Sequence, residues 1–167
     1  MKSLTLLKAL AIAGVLSATV VVLSSPMWAA LGDNAASVLT DQASMKGTLN
    51  STDKQTYVVH EITASTGAKV REYVSPAGAV FAVAWDGQFP PNFQQLLGPY
   101  YQQVQDAAAQ QKNPDAGSEQ QAPRRRGPVV IQTPGIVFVQ TGHMRSFHGQ
   151  AYIPQLVPQG VAASDIR

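Results

Sequence analysis

The chain has 167 residues, 45% of them hydrophobic and 13% charged, and no cysteine. Its formal net charge of +2 falls to zero once Lys2 and Lys8 at the start are set aside. That size suits one domain, the neutral balance gives no argument for a nucleic-acid partner, and the missing cysteine excludes disulfide staples, thiolate metal ligands, a thiol nucleophile and lipid attachment at an N-terminal Cys.

The first segment has a positive start, an apolar run from Ala9 to Leu23, and then Ser24-Ser25-Pro26-Met27-Trp28-Ala29-Ala30. This is the three-part plan of a secretory signal peptide. The run is shorter than the roughly 20 apolar residues that span a bilayer as a helix. Residues 1–29 are therefore expected to be a signal peptide cut after Ala29, with residues 30–167 as a single exported domain, periplasmic or secreted. Met27 departs from the usual small residue near the cut, so an uncleaved membrane anchor is the alternative.

Past the cut, Val38, Leu39, Gln42 and Met45 fit a short helical face capped by Asp33 or Asn34, with Gly47 and Asn50-Ser51-Thr52-Asp53 ending it. Tyr57 to Thr63 is β-branched and alternating, which predicts a strand. Two further runs, 69–74 and 79–85, joined by Ser75-Pro76-Ala77-Gly78, predict a hairpin. The second of these is apolar on both faces and so reads as a central strand.

Phe93, Leu96, Leu97, Tyr100, Tyr101 and Val104 form one helical stripe, interrupted by Gly98-Pro99, where proline costs a helix interior about 3 kcal/mol. A kinked helix, or two short ones on one sheet face, follows. Residues 106–126 contain no large apolar side chain and read as a flexible polar loop ending in Arg124-Arg125-Arg126. Val129–Gln132 and Ile136–Gln140 predict a second hairpin, Gly142-His143-Met144-Arg145 breaks the run, and Ser146–Ile153 predicts a last strand. The whole reads as α+β: a mainly antiparallel sheet of five to six strands with the kinked helix packed on one face. A compact β-sandwich or partly closed barrel with one helix is the alternative.

Little in this chain carries chemistry. His143 and His148 could join Glu61 or Asp86 around a metal, but positions five apart on a strand point to opposite faces, and no His-Glu-x-x-His spacing is present. Ser75, Ser146 or Thr141 could serve as a nucleophile beside a histidine, without a Gly-x-Ser-x-Gly elbow. Glu61 and Glu72 could pair with Lys69 or Arg71 across the sheet. Trp85, Phe89, Tyr100 and Tyr101 could line a groove with Asp86 at its rim, against the commoner role of core packing. The candidate binding residues are thus Trp85, Asp86, His143 and Arg145. Arg124, Arg125 and Arg126 are candidates for an anionic surface, against the plainer reading of a solvated turn.

The Ala30-Leu31-Gly32 start, Val70-Arg71-Glu72-Tyr73-Val74-Ser75-Pro76-Ala77-Gly78 with Val80 to Trp85, Leu96-Leu97-Gly98, Gly142-His143-Met144-Arg145 and Ala151-Tyr152-Ile153-Pro154 together resemble a family of exported proteobacterial proteins, the domain of unknown function 2844. The resemblance covers essentially the whole mature chain. It implies an envelope or secreted location, and brings no activity or catalytic residues with it.

The expected function is accordingly a non-catalytic interaction or accessory domain of the cell envelope. Its partner would be an envelope protein or a small ligand, with no cofactor and no nucleic acid. Membrane contact would come only through an uncleaved first segment or the Arg-rich loop. The alternative is a small periplasmic hydrolase or metal-dependent enzyme using His143 with Asp86 or Glu61.

Overall fold

The computed structural model describes residues 31–112 and 127–167. The proposed signal peptide and Arg124, Arg125 and Arg126 lie outside the described residues.

The described chain forms an α+β fold around a seven-stranded antiparallel sheet. A helix α1 (Ser37–Met45) precedes a four-strand meander of β1 (Thr48–Asp53), β2 (Val58–Thr63), β3 (Lys69–Val74) and β4 (Val80–Gly87). The helices α2 (Phe93–Leu97) and α3 (Tyr101–Lys112) follow, then a second meander of β5 (Val129–Gln132), β6 (Val137–His143) and β7 (Ser146–Tyr152). The strand order is β1-β2-β3-β4-β7-β6-β5, so the two meanders join side by side along β4 and β7.

Three local devices set this frame. The β3–β4 turn uses Gly78 at φ +82°, a backbone region that glycine enters without a Cβ penalty. Asn92 caps α2 by accepting from the Gln95 N–H at 3.3 Å. The Gly98-Pro99 break becomes a single 3-10 turn over Gly98–Tyr100, which keeps α2 and α3 on the same sheet face. β4 is buried from Val80 to Trp85, as expected of a central strand covered on both sides.

The two faces of the sheet differ in their cover. On one, Ile62, Val70, Val83, Trp85, Ile131 and Phe138 pack under Leu31 and Val38 near α1 and under Leu96, Leu97 and Val104 of α2 and α3. On the other, Tyr73, Phe81, Ala82 and Ala84 are covered by Ile166, Val157 and Val161 of the C-terminal segment, beside Tyr57 and Tyr152. At about 25 cal/mol per Å² of apolar surface, this double burial is the main favourable term in folding.

Four expectations need correction. Residues 48–53 are a strand, not the end of a helix, so the sheet has seven strands rather than five to six. α1 starts at an Ala36 cap with no side-chain bond; Asn34 instead accepts the Ala36 N–H at 2.9 Å in a turn ahead of it. The polar loop does not begin at 106, because α3 continues through Lys112; Ala107 and Ala108 pack on the core, and small residues suffice there. The break at 142–145 is narrower than expected, since β6 runs through His143 and only Met144 and Arg145 turn the chain.

Candidate functional site

The half-covered sheet face carries the polar groups. Antiparallel ladder partners share a face, so the register can be read as rows across the sheet. The first row is Thr48, Thr63, Lys69, Asp86, His148 and Thr141. The second is Asn50, Glu61, Arg71, Ala84, Gln150, Val139 and Val130. The third is Thr52, Val59, Tyr73, Ala82, Tyr152, Val137 and Gln132. The face thus grades from wholly polar to largely apolar, and the C-terminal segment packs over the apolar part.

A groove of about 390 Å³ opens where the second and third rows meet that segment. Tyr57, Tyr73 and Val59 give it an aromatic and aliphatic floor, while Asn50, Lys54, Glu61 and Arg71 line its polar side. Asp165 and Arg167 close it from the C-terminal segment. Arg71 Nε donates to Glu61 Oε2 at 2.7 Å, and Lys69 Nζ lies 3.6 Å from Glu61 Oε1. Tyr73 is anchored by both backbone groups of Arg167: its hydroxyl donates to the main-chain oxygen at 2.8 Å and accepts from the N–H at 2.9 Å. Burial pushes the Tyr73 phenol up from its ordinary value, so it stays protonated and able to donate.

At the polar end of the same face, three side chains form a chain of hydrogen bonds. His148 Nδ1 is 2.5 Å from Asp86 Oδ2, and His148 Nε2 is 2.8 Å from Ser146 Oγ. A carboxylate only accepts, so the ring proton belongs on Nδ1, and Nε2 then accepts from the serine hydroxyl. Ser146 and His148 are two apart on β7 and so share a face, while the β4–β7 register sets Asp86 opposite His148. The histidine and aspartate side chains are 48% and 53% exposed, which leaves the chain in open solvent rather than in a cleft.

The helix-covered face holds a different cluster. Glu72 of β3 and Asp41 of α1 are each 1% exposed. Gln95 of α2 donates to Asp41 Oδ1, and Ser44 Oγ donates to Gln95 Oε1 at 3.2 Å. Asp41 Oδ2 and both Glu72 oxygens have no donor. Burial is the main cause that pushes both carboxyls up; the neighbouring Asp41 charge raises Glu72 further, while the Gln95 bond partly offsets the rise on Asp41.

The structure does not bring the sequence-predicted residues together. Trp85 points to the helix-covered face, where it packs against Phe93 and Phe138 at ring-centroid distances of 5.1 and 5.5 Å. Asp86 points to the open face, and its partner is His148 rather than His143. His143 Nδ1 instead lies 3.1 Å from the Met144 carbonyl oxygen. Arg145 occupies the β6–β7 turn at φ +67°. Phe89 is exposed, so it lines no groove with Trp85. Glu61 pairs with Arg71 and Lys69, whereas Glu72 sits on the opposite face and pairs with neither. Among the described residues, no group of three His, Cys, Asp or Glu side chains is placed to hold a metal ion. No helix of the described residues is long and apolar enough to cross a membrane.

Sequence reasoning raised Ser146 as a nucleophile beside a histidine, but not its link through His148 to Asp86. It also missed the buried Asp41–Glu72 pair. The signal for the latter is Glu72 between Val70 and Val74 on a strand whose other face carries Arg71: a lone acid on the apolar side.

A family profile described as "Protein of unknown function (DUF2844)" matches residues 27–166. The chain belongs to this family. Membership of DUF2844 spans both meanders and all three helices, and the matched region takes in every residue lining the groove except Arg167. No curated protein and no solved structure matches the chain.

Proposed function

We propose that this protein is an exported cell-envelope domain that works by binding, without catalysis, through the open face of its sheet. The observation that carries the reading is the 390 Å³ groove, in which a tyrosine-lined floor meets fixed donors and acceptors. A few placed polar groups over an apolar floor are what orient a small ligand or a peptide side chain. The Glu61–Arg71 pair holds two of those groups in position before anything binds, which lowers the ordering cost of association. Export is supported by the positive, apolar and small-residue sequence of the first 30 residues.

Capture from envelope extracts with immobilised residues 30–167 tests this. Thr52 is exposed and lines the groove, so Thr52→Arg fills the site without disturbing the core. A partner or ligand retained by the parent domain and lost with Thr52→Arg is the expected result. Equal recovery on both, or no specific recovery, refutes the groove as the binding site. Cell fractionation with the N-terminal mass of the exported form tests cleavage after Ala29; a full-length cytoplasmic product refutes export.

The Asp86–His148–Ser146 chain favours a second reading, a hydrolase of small activated esters. Ser146 Oγ would attack the carbonyl carbon and pass its proton to His148 Nε2. The alcohol would leave with that proton, and water would release the acyl group. Asp86 would hold the ring in the required tautomer. This replaces the pairing of His143 with Asp86 or Glu61 anticipated from the sequence. A fluorophosphonate probe decides between the readings: labelling of Ser146 that disappears in His148→Gln supports the hydrolase, and no labelling leaves binding as the function.

A further inference from the structure

We propose that Asp41 and Glu72 share one proton, and that this proton holds α1 on the sheet, making its docking sensitive to an alkaline medium. The geometry carries the inference. Two acidic side chains meet in a site almost closed to water, one from the helix and one from the strand beneath it. If both were ionised, three buried oxygens would have no donor, and like charges would face each other in a poorly solvated site. A single proton on Glu72 removes the like-charge repulsion and satisfies two of the three oxygens, because its hydroxyl donates to Asp41 while Gln95 donates to the other Asp41 oxygen; only the neutral carbonyl oxygen of Glu72 is then left without a donor.

The surroundings offer no substitute for that proton. From α1 the site receives Asp41, with Ser44 reaching only Gln95. From α2 it receives the neutral Gln95. On β3, Glu72 is flanked on its own face by Val70 and Val74, and its β4 ladder partner is Val83. Its β2 partner is His60, whose Nδ1 is engaged by Ser51 Oγ at 2.8 Å. Burial lowers the His60 pKa, so this ring is neutral in the range where Glu72 would ionise. Among the described residues no lysine or arginine makes an ion pair with either carboxyl.

The sign follows from linkage. Glu72 is raised from an ordinary 4.5 to about 9, and Asp41 from 3.8 to about 6. Between those limits the folded chain holds protons that the unfolded chain has released. The pair's contribution is therefore complete below its unfolded values and is lost as pH rises, gone above about 9. Each group weakens folding by up to tenfold per pH unit within its window. The loss falls first on α1, whose docked face presents Asp41 and Val38 to the sheet. A domain exposed to the external medium would thus loosen one helix and uncover the apolar surface around Ile62 and Val70.

Amide hydrogen exchange in α1 of residues 30–167, corrected for intrinsic rate, tests the proposal at pH 6.5 and 9. α1 protection should fall at least tenfold between these values. Glu72→Gln keeps a donor for Asp41 and should abolish the fall; Asp41→Asn removes the like charge but leaves Glu72 buried, so it should shrink the fall without abolishing it, and carries the test if the first variant fails to fold. Unchanged α1 protection in the parent, or an equal fall in both variants, overturns the proposal. Restoration of protection at pH 9 by millimolar calcium or magnesium also overturns it, because a cation rather than a proton would then be the bound species.

Discussion

Trp85 and Gly149 are ladder partners across the seam between the two meanders, and the indole occupies the space that a side chain on Gly149 would need. A Cβ built on Gly149 would lie 2.3 Å from the indole Cζ2 and 2.5 Å from the Val139 carbonyl oxygen. Neither neighbour can yield easily, since the ring is wedged between Phe93 and Phe138 and the oxygen belongs to the sheet. Gly149→Ala is therefore expected to destabilise the domain by about 1–3 kcal/mol, the usual cost of overpacking. Urea denaturation followed by tryptophan fluorescence measures it; a loss under 0.5 kcal/mol (roughly the range of neutral surface changes) contradicts the account.

The Glu61–Arg71 bond sits in a partly shielded position, with about a quarter of each side chain exposed. Solvent screening keeps such pairs modest, so a double-mutant cycle with Glu61→Ala and Arg71→Ala should give a coupling of about 0.5–1 kcal/mol. The coupling should shrink in 1 M salt, where the screening length is only about 3 Å. A coupling that ignores salt would show that packing, not charge, links the two.

Tyr73→Phe removes the hydroxyl that binds both backbone groups of Arg167 while leaving the ring in place. The expected loss is about 1–2 kcal/mol. A further result separates this role from general softening: limited proteolysis should cut within residues 157–166 faster in the variant, with the β3–β4 hairpin still resistant. Uniform acceleration of cleavage across the chain would count against it.

His60 supplies a pH dependence of opposite sign to the carboxyl pair. Burial lowers its pKa from 6.5 in the folded state, so below 6.5 the unfolded chain takes up a proton that the folded chain resists. Stability from this group is present above 6.5 and is lost as pH falls through the range below it. His60→Gln should flatten that limb of the stability profile in thermal melts between pH 5 and 7. A limb of unchanged slope in the variant assigns it to other groups.

The sequence made the hairpins legible because each strand answers to a local pattern. Val70, Glu72 and Val74 alternate with Arg71 and Tyr73, and the turn residues fall where the backbone needs them. β1 was harder. An edge strand with polar Asn50, Ser51, Thr52 and Asp53 exposed along it has no apolar signature, and its order comes from the backbone ladder to β2. The last turns of α3 were obscured in the same way: alanines that pack lightly look like linker, and the anchoring bond from Gln111 to the Val130 carbonyl joins residues 19 apart. The polar chain at Asp86 depends on a register between strands 62 residues apart, and the Asp41–Glu72 pair depends on how α1 docks. The first has no local cause that a sequence pattern could carry; of the second, only Glu72 leaves a trace, as a lone acid on the apolar side of β3, and its partner leaves none.

The order of the strands also bears on how the domain is made. β4 pairs with β3 on one side and with β7, the last strand of the chain, on the other. A growing chain therefore completes an apolar strand from Val80 to Trp85 long before its second neighbour exists. Until β7 arrives, that strand presents a row of free peptide groups to any other extended chain. Gly87 and the proline-rich Phe89-Pro90-Pro91 stretch end it abruptly, shortening the template. The interval between making β4 and making β7 is thus when this protein is most open to mispairing, and a chaperone that holds extended apolar segments would act on it then.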